Sequence, residues 1–238
     1  MARMARTVIP GIPHHVTQRG NGRARTFLED DDYRFYRDRL GAECRAAGVE
    51  VWAWVLMPNH VHLVLTPGDE DGLRRALARL HRAHAGRMHA RLGRTGHFWQ
   101  GRFGCVAMDE PHLMAALRYV ALNPVRAGLA ARAEDWPWSS VHAQLGRVGG
   151  SGLDGGAGLD GGDGVTDTAP VAERYPDFAA LLAADEGVDE FRALRRAESV
   201  GRPLGDDGFL DRLEALTGRR LKPGKPGPKP KTSALSPK

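Results

Sequence analysis

The sequence predicts an α+β fold, an antiparallel sheet of ferredoxin-like order with helices packed on it. Three observations predict it. Two β-branched and aromatic runs, VEVWAWVLM (49–57) and HVHLVLT (60–66), flank the turn dipeptide Pro58-Asn59 and read as a hairpin. Apolar residues recur at helical spacing on both sides of that hairpin. The resulting order, β-α-β-β-α-β-α, is that of a ferredoxin-like sheet.

The elements follow in turn. Val8 to Arg19 holds a strand, interrupted early by Pro10 and Pro13. Asp30 to Ala47 reads as a helix. Asp30, Asp31 and Asp32 stand at its start, where the helix dipole favours acids; Tyr33, Tyr36 and Leu40 form a stripe, and Gly48 stops it. The hairpin comes next, then a long helix over Asp71 to Arg91. His97 to Met108, broken by Gly101 and Gly104, is strand material. Pro111 to Leu122 is helical, with proline in the first turn and Asn123-Pro124 as its expected end.

Four regions are expected. Residues 1–146 form the main domain. Residues 147–173 are a Gly/Asp-rich flexible linker with too little apolar surface to offset its ordering entropy. Residues 174–222 form a small, loosely attached helical accessory, with Phe209, Leu210, Leu213 and Leu216 at helical spacing. Residues 223–238 are a disordered basic tail, KPGKPGPKPK being too rich in Pro and Gly for regular structure. The spelling GGxGxD occurs twice in the linker, from Gly149 and from Gly155, and is similar to calcium-binding β-roll repeats. The copies lie six residues apart instead of nine and lack the following hydrophobic residue, so the segment reads as linker.

Composition narrows the function. No run approaches a membrane span, and the basic N-terminus lacks an apolar signal core, so a cytoplasmic protein is expected. Cys44 and Cys105 are far apart and outside any CxxC spacing, which argues against a disulfide framework or a zinc ribbon. Net charge is +5, yet Arg219, Arg220, Lys222, Lys225, Lys229, Lys231 and Lys238 supply +7 without an acid among them. The rest of the chain therefore stands at −2. A basic end suits a polyanion partner, or serves only solubility.

Two local patterns carry chemistry. His60 and His62 alternate on one strand and so share a face, a good partial ligand set for a divalent metal; Val61, Leu63 and Leu65 take the other face. Tyr119 and Asn123 are four apart on a helix and share a face there. Each has an ordinary alternative: polar edge residues for the histidines, a half-buried core aromatic for Tyr119, a helix end before Pro124 for Asn123. Trp99 and Phe103 suit base stacking or the core, and Trp136 and Trp138 read as packing anchors. The cysteines read as core, and His14 and His15 receive no role.

The segments PHHVTQRGN, LMPNHVHLVL, GHFWQGRF, RYVALNPVRAGL and DWPWSS occur in that order. Together they resemble the REP-associated tyrosine transposases, a branch of the bacterial HUH single-tyrosine transposases. The resemblance covers about residues 8–145, with a weaker echo in GRPLGDDGFLDRLEALTGRRL. It implies the HUH transposase fold, with His60 and His62 as metal ligands, Tyr119 as nucleophile and Asn123 as third ligand. It also implies Mg²⁺ or Mn²⁺ as the metal. The implied activity is cleavage and rejoining of single-stranded DNA at hairpin-forming palindromes, through a covalent phosphotyrosine. Asn123 stands where related insertion-sequence enzymes often carry Gln; both offer a carbonyl oxygen. Arg19, Arg102 and Arg126, each within a motif, and Arg219, Arg220, Lys222 and Lys225 in the basic end are candidate DNA contacts. The alternative is a domesticated, catalytically silent DNA-binding protein of the same fold. A metal-dependent hydrolase or zinc module would need further ligands. The reading leans to a monomer.

Overall fold

The hairpin turn at Pro58-Asn59 sets the sheet in place. In the structure, a computed structural model that describes residues 6–146, 163–184 and 188–222, β2 (Val49–Met57) pairs with β3 (His60–Pro67) across that turn. β3 then pairs with β1 (His14–Arg19), and β1 with β4 (Gly104–Ala107). All three pairings are antiparallel, and the strand order is β2-β3-β1-β4. The ferredoxin-like order read from the sequence is the one observed.

The pleat sends alternate side chains to opposite faces. One face, with Val16, Leu63 and Leu65, is covered by α1 (Asp30–Ala46) and α2 (Gly72–Leu92) through Tyr36, Leu40, Leu77 and Leu80. The opposite face, with Val55, Val64 and Val106, is covered by α3 (Glu110–Arg126) through Leu117 and Val120. A β-bulge between Val51 and Ala53 turns Trp52 and Ala53 to this second face together.

Local chemistry explains the helix ends. At α1, Glu29 and Asp32 make a reciprocal capping box, and Gly48, at φ +64°, provides the left-handed stop. Asp32 is fully buried, with Arg91 at 3.0 Å and Arg87 at 3.5 Å answering its charge. At α3, the Asp109 carboxylate accepts from the His112 N–H at 3.1 Å.

Three expectations are corrected. α3 does not end at Asn123-Pro124 but continues to Arg126. Proline so near the end removes one backbone bond only, and the last turn is closed by Ala127 N–H to the Asn123 carbonyl (3.0 Å) and Leu129 N–H to the Pro124 carbonyl (2.9 Å). The strand expected over His97–Met108 shrinks to β4, because Phe98 and Gln100 bond the Asn21 and Arg19 backbone in a loop. Of the expected linker, residues 163–167 are fastened to β2 and 169–173 lie in a helix. Trp54 Nε1 donates to Asp163 and Thr166, and Val51 N–H donates to the Asp167 carboxylate at 2.7 Å. The remainder of the linker, 147–162, with both GGxGxD copies, and the tail 223–238 lie outside the described residues.

After α3 comes the DWPWSS segment. Trp138 stacks on Tyr33 at 4.8 Å, and Trp136 Nε1 donates to the Leu56 carbonyl, so both tryptophans are packing anchors. α4 (Val141–Gln144), α5 (Ala169–Arg174), α6 (Phe178–Ala183), α7 (Val188–Val200) and α8 (Asp207–Thr217) follow among the described residues. They are not loosely attached. Phe178, Phe191 and Leu194 are buried in the core over the second sheet face, and Phe209, Leu210, Leu213 and Leu221 close over Ile9 and Ala107. Among the described residues no helix is long and apolar enough to cross a membrane.

Candidate active site

The second sheet face carries the polar cluster at the hairpin end of β3. Register puts His60 opposite Arg19 and His62 opposite Thr17, with His15 opposite Val64. Paired residues share a face, so His15, Arg19, His60 and His62 all point toward α3. There Tyr119 meets them, its ring edge-on to His62 at 5.2 Å and to His15 at 5.9 Å. His60 and His62 are themselves edge-on at 5.0 Å. Asn123 follows one turn after Tyr119 on α3 and is buried at the same end. The four residues singled out in the sequence are thus brought together in one chain.

Hydrogen bonds fix the ring orientations. His60 Nδ1 lies 2.6 Å from Asn59 Oδ1, so it carries the proton and leaves the Nε2 lone pair available. His62 Nδ1 lies 3.0 Å from His15 Nε2. His62 Nε2 and Asn123 Nδ2 are buried without a hydrogen-bond partner. A half-turn of the Asn123 amide would set Oδ1 where Nδ2 stands. Orphaned buried polar atoms cost free energy unless a ligand engages them.

Electrostatics keep the imidazoles neutral. Burial pushes His15 down to about 4. Burial, with the Arg19 cation second, pushes His60 down to about 3. His62 falls well below the ordinary range, from burial first and then from His15, His60 and Arg19. Neutral imidazoles with lone pairs are what a divalent ion requires. Burial, and next the Glu198 charge, raises the Tyr119 phenol; Arg195, Arg126 and the Asn123 amide oppose that rise. The Arg126 guanidinium lies 5.5 Å from the Tyr119 ring centroid, over its face.

Two residues at this site escaped the sequence reading. His15 had no role there, and Glu198 lies on α7 in the expected accessory. Glu198 Oε1 is 3.8 Å from both His15 Nδ1 and His62 Nδ1. Ligand atoms of the three lie within 4.8 Å of one another. Burial pushes Glu198 up to about 7, against the pull of Arg19 and Arg195. Strand alternation already set His15 on the face of Thr17 and Arg19, but only the β1–β3 register shows that His62 lies beside it. Glu198 left no local signal. His14, by contrast, accepts from the Ile9 N–H and meets the Ile12 carbonyl, a structural role.

The candidate DNA contacts scatter. Arg19 and Arg126 stand at the site, Arg126 also 4.5 Å from the Phe191 ring centroid. Arg102 and Arg220 are exposed. Arg219 donates to the Arg6 carbonyl at 3.0 Å, and the Lys222 ammonium is 2.7 Å from Asp211. Lys225 lies outside the described residues. Phe103 is buried under the Arg6 guanidinium, and Trp99 is packed on His84 and bonded to the His81 carbonyl. Both cysteines are free and buried.

Comparison with known proteins gives the chain's relatives. A family described as "Transposase IS200 like" matches residues 11–123. The chain is 28% identical over 127 residues to the REP-associated tyrosine transposase of Escherichia coli (strain K12), covering 52% of this chain and 73% of that protein. It is 27% identical over 131 residues to a Haemophilus influenzae protein named as a REP-associated tyrosine transposase, covering 50% and 74% respectively. Among solved structures, a REP-associated tyrosine transposase bound to a REP hairpin superposes with a TM-score of 0.50 at 26% identity. That superposition covers 62% of this chain and 87% of the other.

Proposed function

We propose that this chain, whose residues 11–123 match the family described as "Transposase IS200 like", cuts and rejoins single-stranded DNA at hairpin-forming palindromes. Tyr119 is the nucleophile, and His60, His62 and Asn123 hold a Mg²⁺ or Mn²⁺ ion. The observation that carries this reading is the meeting of a tyrosine with a neutral histidine pair in one buried cluster. The donor set fits the ion. Asn59 leaves His60 Nε2 available, and His62 Nε2 and Asn123 Nδ2 are buried without a hydrogen-bond partner. Two imidazoles and one amide oxygen, without a thiolate, suit a labile hard ion better than structural zinc. When bound, the ion would polarise the scissile phosphate and stabilise its developing charge.

The residues divide the work. Tyr119 Oη attacks phosphorus, a P–O bond to tyrosine forms, the P–O3′ bond breaks, and the departing oxygen takes a proton to become a 3′-hydroxyl. The phosphodiester energy stays in the phosphotyrosine, so a 3′-hydroxyl can reverse the exchange without ATP. Tyr119 needs help to ionise, since burial raises its pKa. Arg126 over the ring face is placed to favour the phenolate. Arg19, beside His60 at the site edge, is placed to meet a phosphate. A hairpin as substrate follows the relative seen bound to a REP hairpin. A monomer is the proposed working unit. The work belongs in the cytoplasm, at the nucleoid.

The test mixes full-length protein, Mn²⁺ and end-labelled single-stranded hairpin DNA, and measures covalent adduct on a denaturing gel. Wild type is expected to form the adduct and Tyr119→Phe to form none while still binding the hairpin. Binding by both without adduct would favour the silent DNA-binding protein. Equal adduct from both would remove Tyr119 as nucleophile.

A further inference from the structure

The geometry points to His15 and Glu198 as positioning residues that set the His62 imidazole for its metal, an inference that rests on the metal site proposed above. His62 has two ring nitrogens and one proton when neutral. If Nε2 carried that proton, the ring could not be a ligand on the side where Nε2 is now orphaned. His15 decides the matter. Its Nε2 lies 3.0 Å from His62 Nδ1, in the same buried layer, with the two rings nearly parallel at 11°. When His15 Nε2 accepts, His62 must carry its proton on Nδ1 and expose the Nε2 lone pair. His15 then carries its own proton on Nδ1, an atom buried with no hydrogen-bond partner of its own. The nearest acid is Glu198, whose Oε1 is 3.8 Å from that atom. At that distance the carboxylate acts on the Nδ1 proton through its charge and not through a hydrogen bond, and so biases the polarity of the pair.

Glu198 is better placed to orient the ligand than to be one. It sits on the Nδ1 side of His62, at 3.8 Å, whereas Asn59 turns His60 to offer Nε2. The parallel is internal. His60 is oriented by a side-chain oxygen from its own loop, and His62 by a histidine from β1 backed by an acid from α7. Outer partners of this kind raise ligand basicity and hold the tautomer. Glu198 lies beyond the 11–123 span of the family match, so the C-terminal helices complete the site as well as covering it.

The experiment measures Mn²⁺ binding to the full-length chain by calorimetry, with His tautomers read from long-range ¹⁵N–¹H NMR of the metal-free protein. His15→Phe and Glu198→Gln are compared with His15→Gln, whose amide oxygen can still accept from His62 Nδ1–H. Wild type is expected to bind one ion and to show His62 protonated on Nδ1. Mn²⁺ affinity should fall about 10- to 100-fold in His15→Phe, fall less in Glu198→Gln and recover in part in His15→Gln. Unchanged affinity in folded His15→Phe and Glu198→Gln, or His62 protonated on Nε2 in wild type, overturns the inference and leaves the metal site standing. Loss of the ion altogether in Glu198→Gln makes Glu198 a ligand and also overturns it. Absence of Mn²⁺ binding by wild type overturns the metal site and this inference together. Should His15→Phe fail to fold, the tautomer of wild type and the affinity of Glu198→Gln decide alone.

Discussion

Phe191→Ala measures how far the C-terminal helices belong to the fold that holds the site. Phe191 is fully buried on α7, its ring 5.4 Å from Tyr119. The Arg126 and Arg118 guanidinium groups lie over it at 4.5 and 5.9 Å. Truncating a core phenylalanine costs about 3–5 kcal/mol, and the lost cation–π contacts place this site in the upper half of that range. With a urea m-value of about 2–3 kcal/mol per molar, the unfolding midpoint should fall by about 1.3–2.5 M. All five tryptophans lie between residues 52 and 138, so none lies on α7 and their fluorescence reports the domain that carries the sheet. One cooperative transition is expected, with the tryptophan signal and far-ultraviolet circular dichroism shifting together. A tryptophan midpoint that stays at its wild-type value, while helical signal is lost separately at lower urea, would refute the shared core and restore the loosely attached accessory.

Two further outcomes are expected. Burial holds folded His14 and His84 at about 4 and His81 at about 3, against about 6.5 in the unfolded chain. The unfolded state therefore takes up protons first, so stability is full above about pH 6.5 and is lost as pH falls toward 4. Glu198, raised to about 7, acts in the opposite sense between about pH 4.5 and 7 but is a single group. Melting should come on the order of 10 °C lower at pH 4.5 than at pH 7.5, and equal melting temperatures would count against neutral buried histidines. The second outcome concerns the basic end. Because Lys222 and Arg219 are engaged by the fold, the lysines left for DNA are Lys225, Lys229, Lys231 and Lys238. Deleting residues 223–238 should flatten the log–log salt dependence of hairpin binding by up to about 3, and an unchanged slope would remove the tail from the interface.

Much of this protein was legible in the sequence because the signals were local. The β-branched and aromatic runs at 49–57 and 60–66 marked both strands, strand alternation placed His60 and His62 on one face, and a spacing of four paired Tyr119 with Asn123. Those patterns act through neighbouring residues, so no distant partner can alter them. Local rules also misled where packing outweighed them. Pro124 looked like a stop, yet near a helix end it removes only one hydrogen bond, and α3 runs on to place Arg126 over Tyr119. The Gly/Asp tract, which ends at Gly164, led the linker reading on to residue 173 and hid the bonds from Trp54 and Val51 that fasten residues 163–167 to β2. Only the tertiary structure decided that His15 lies beside His62 and that Glu198 arrives from α7. The register of β1 on β3 is set by the sum of contacts along both strands, and the seat of α7 by its buried stripe against α3. Neither quantity belongs to any short stretch of sequence, and both became definite only when the second sheet face closed.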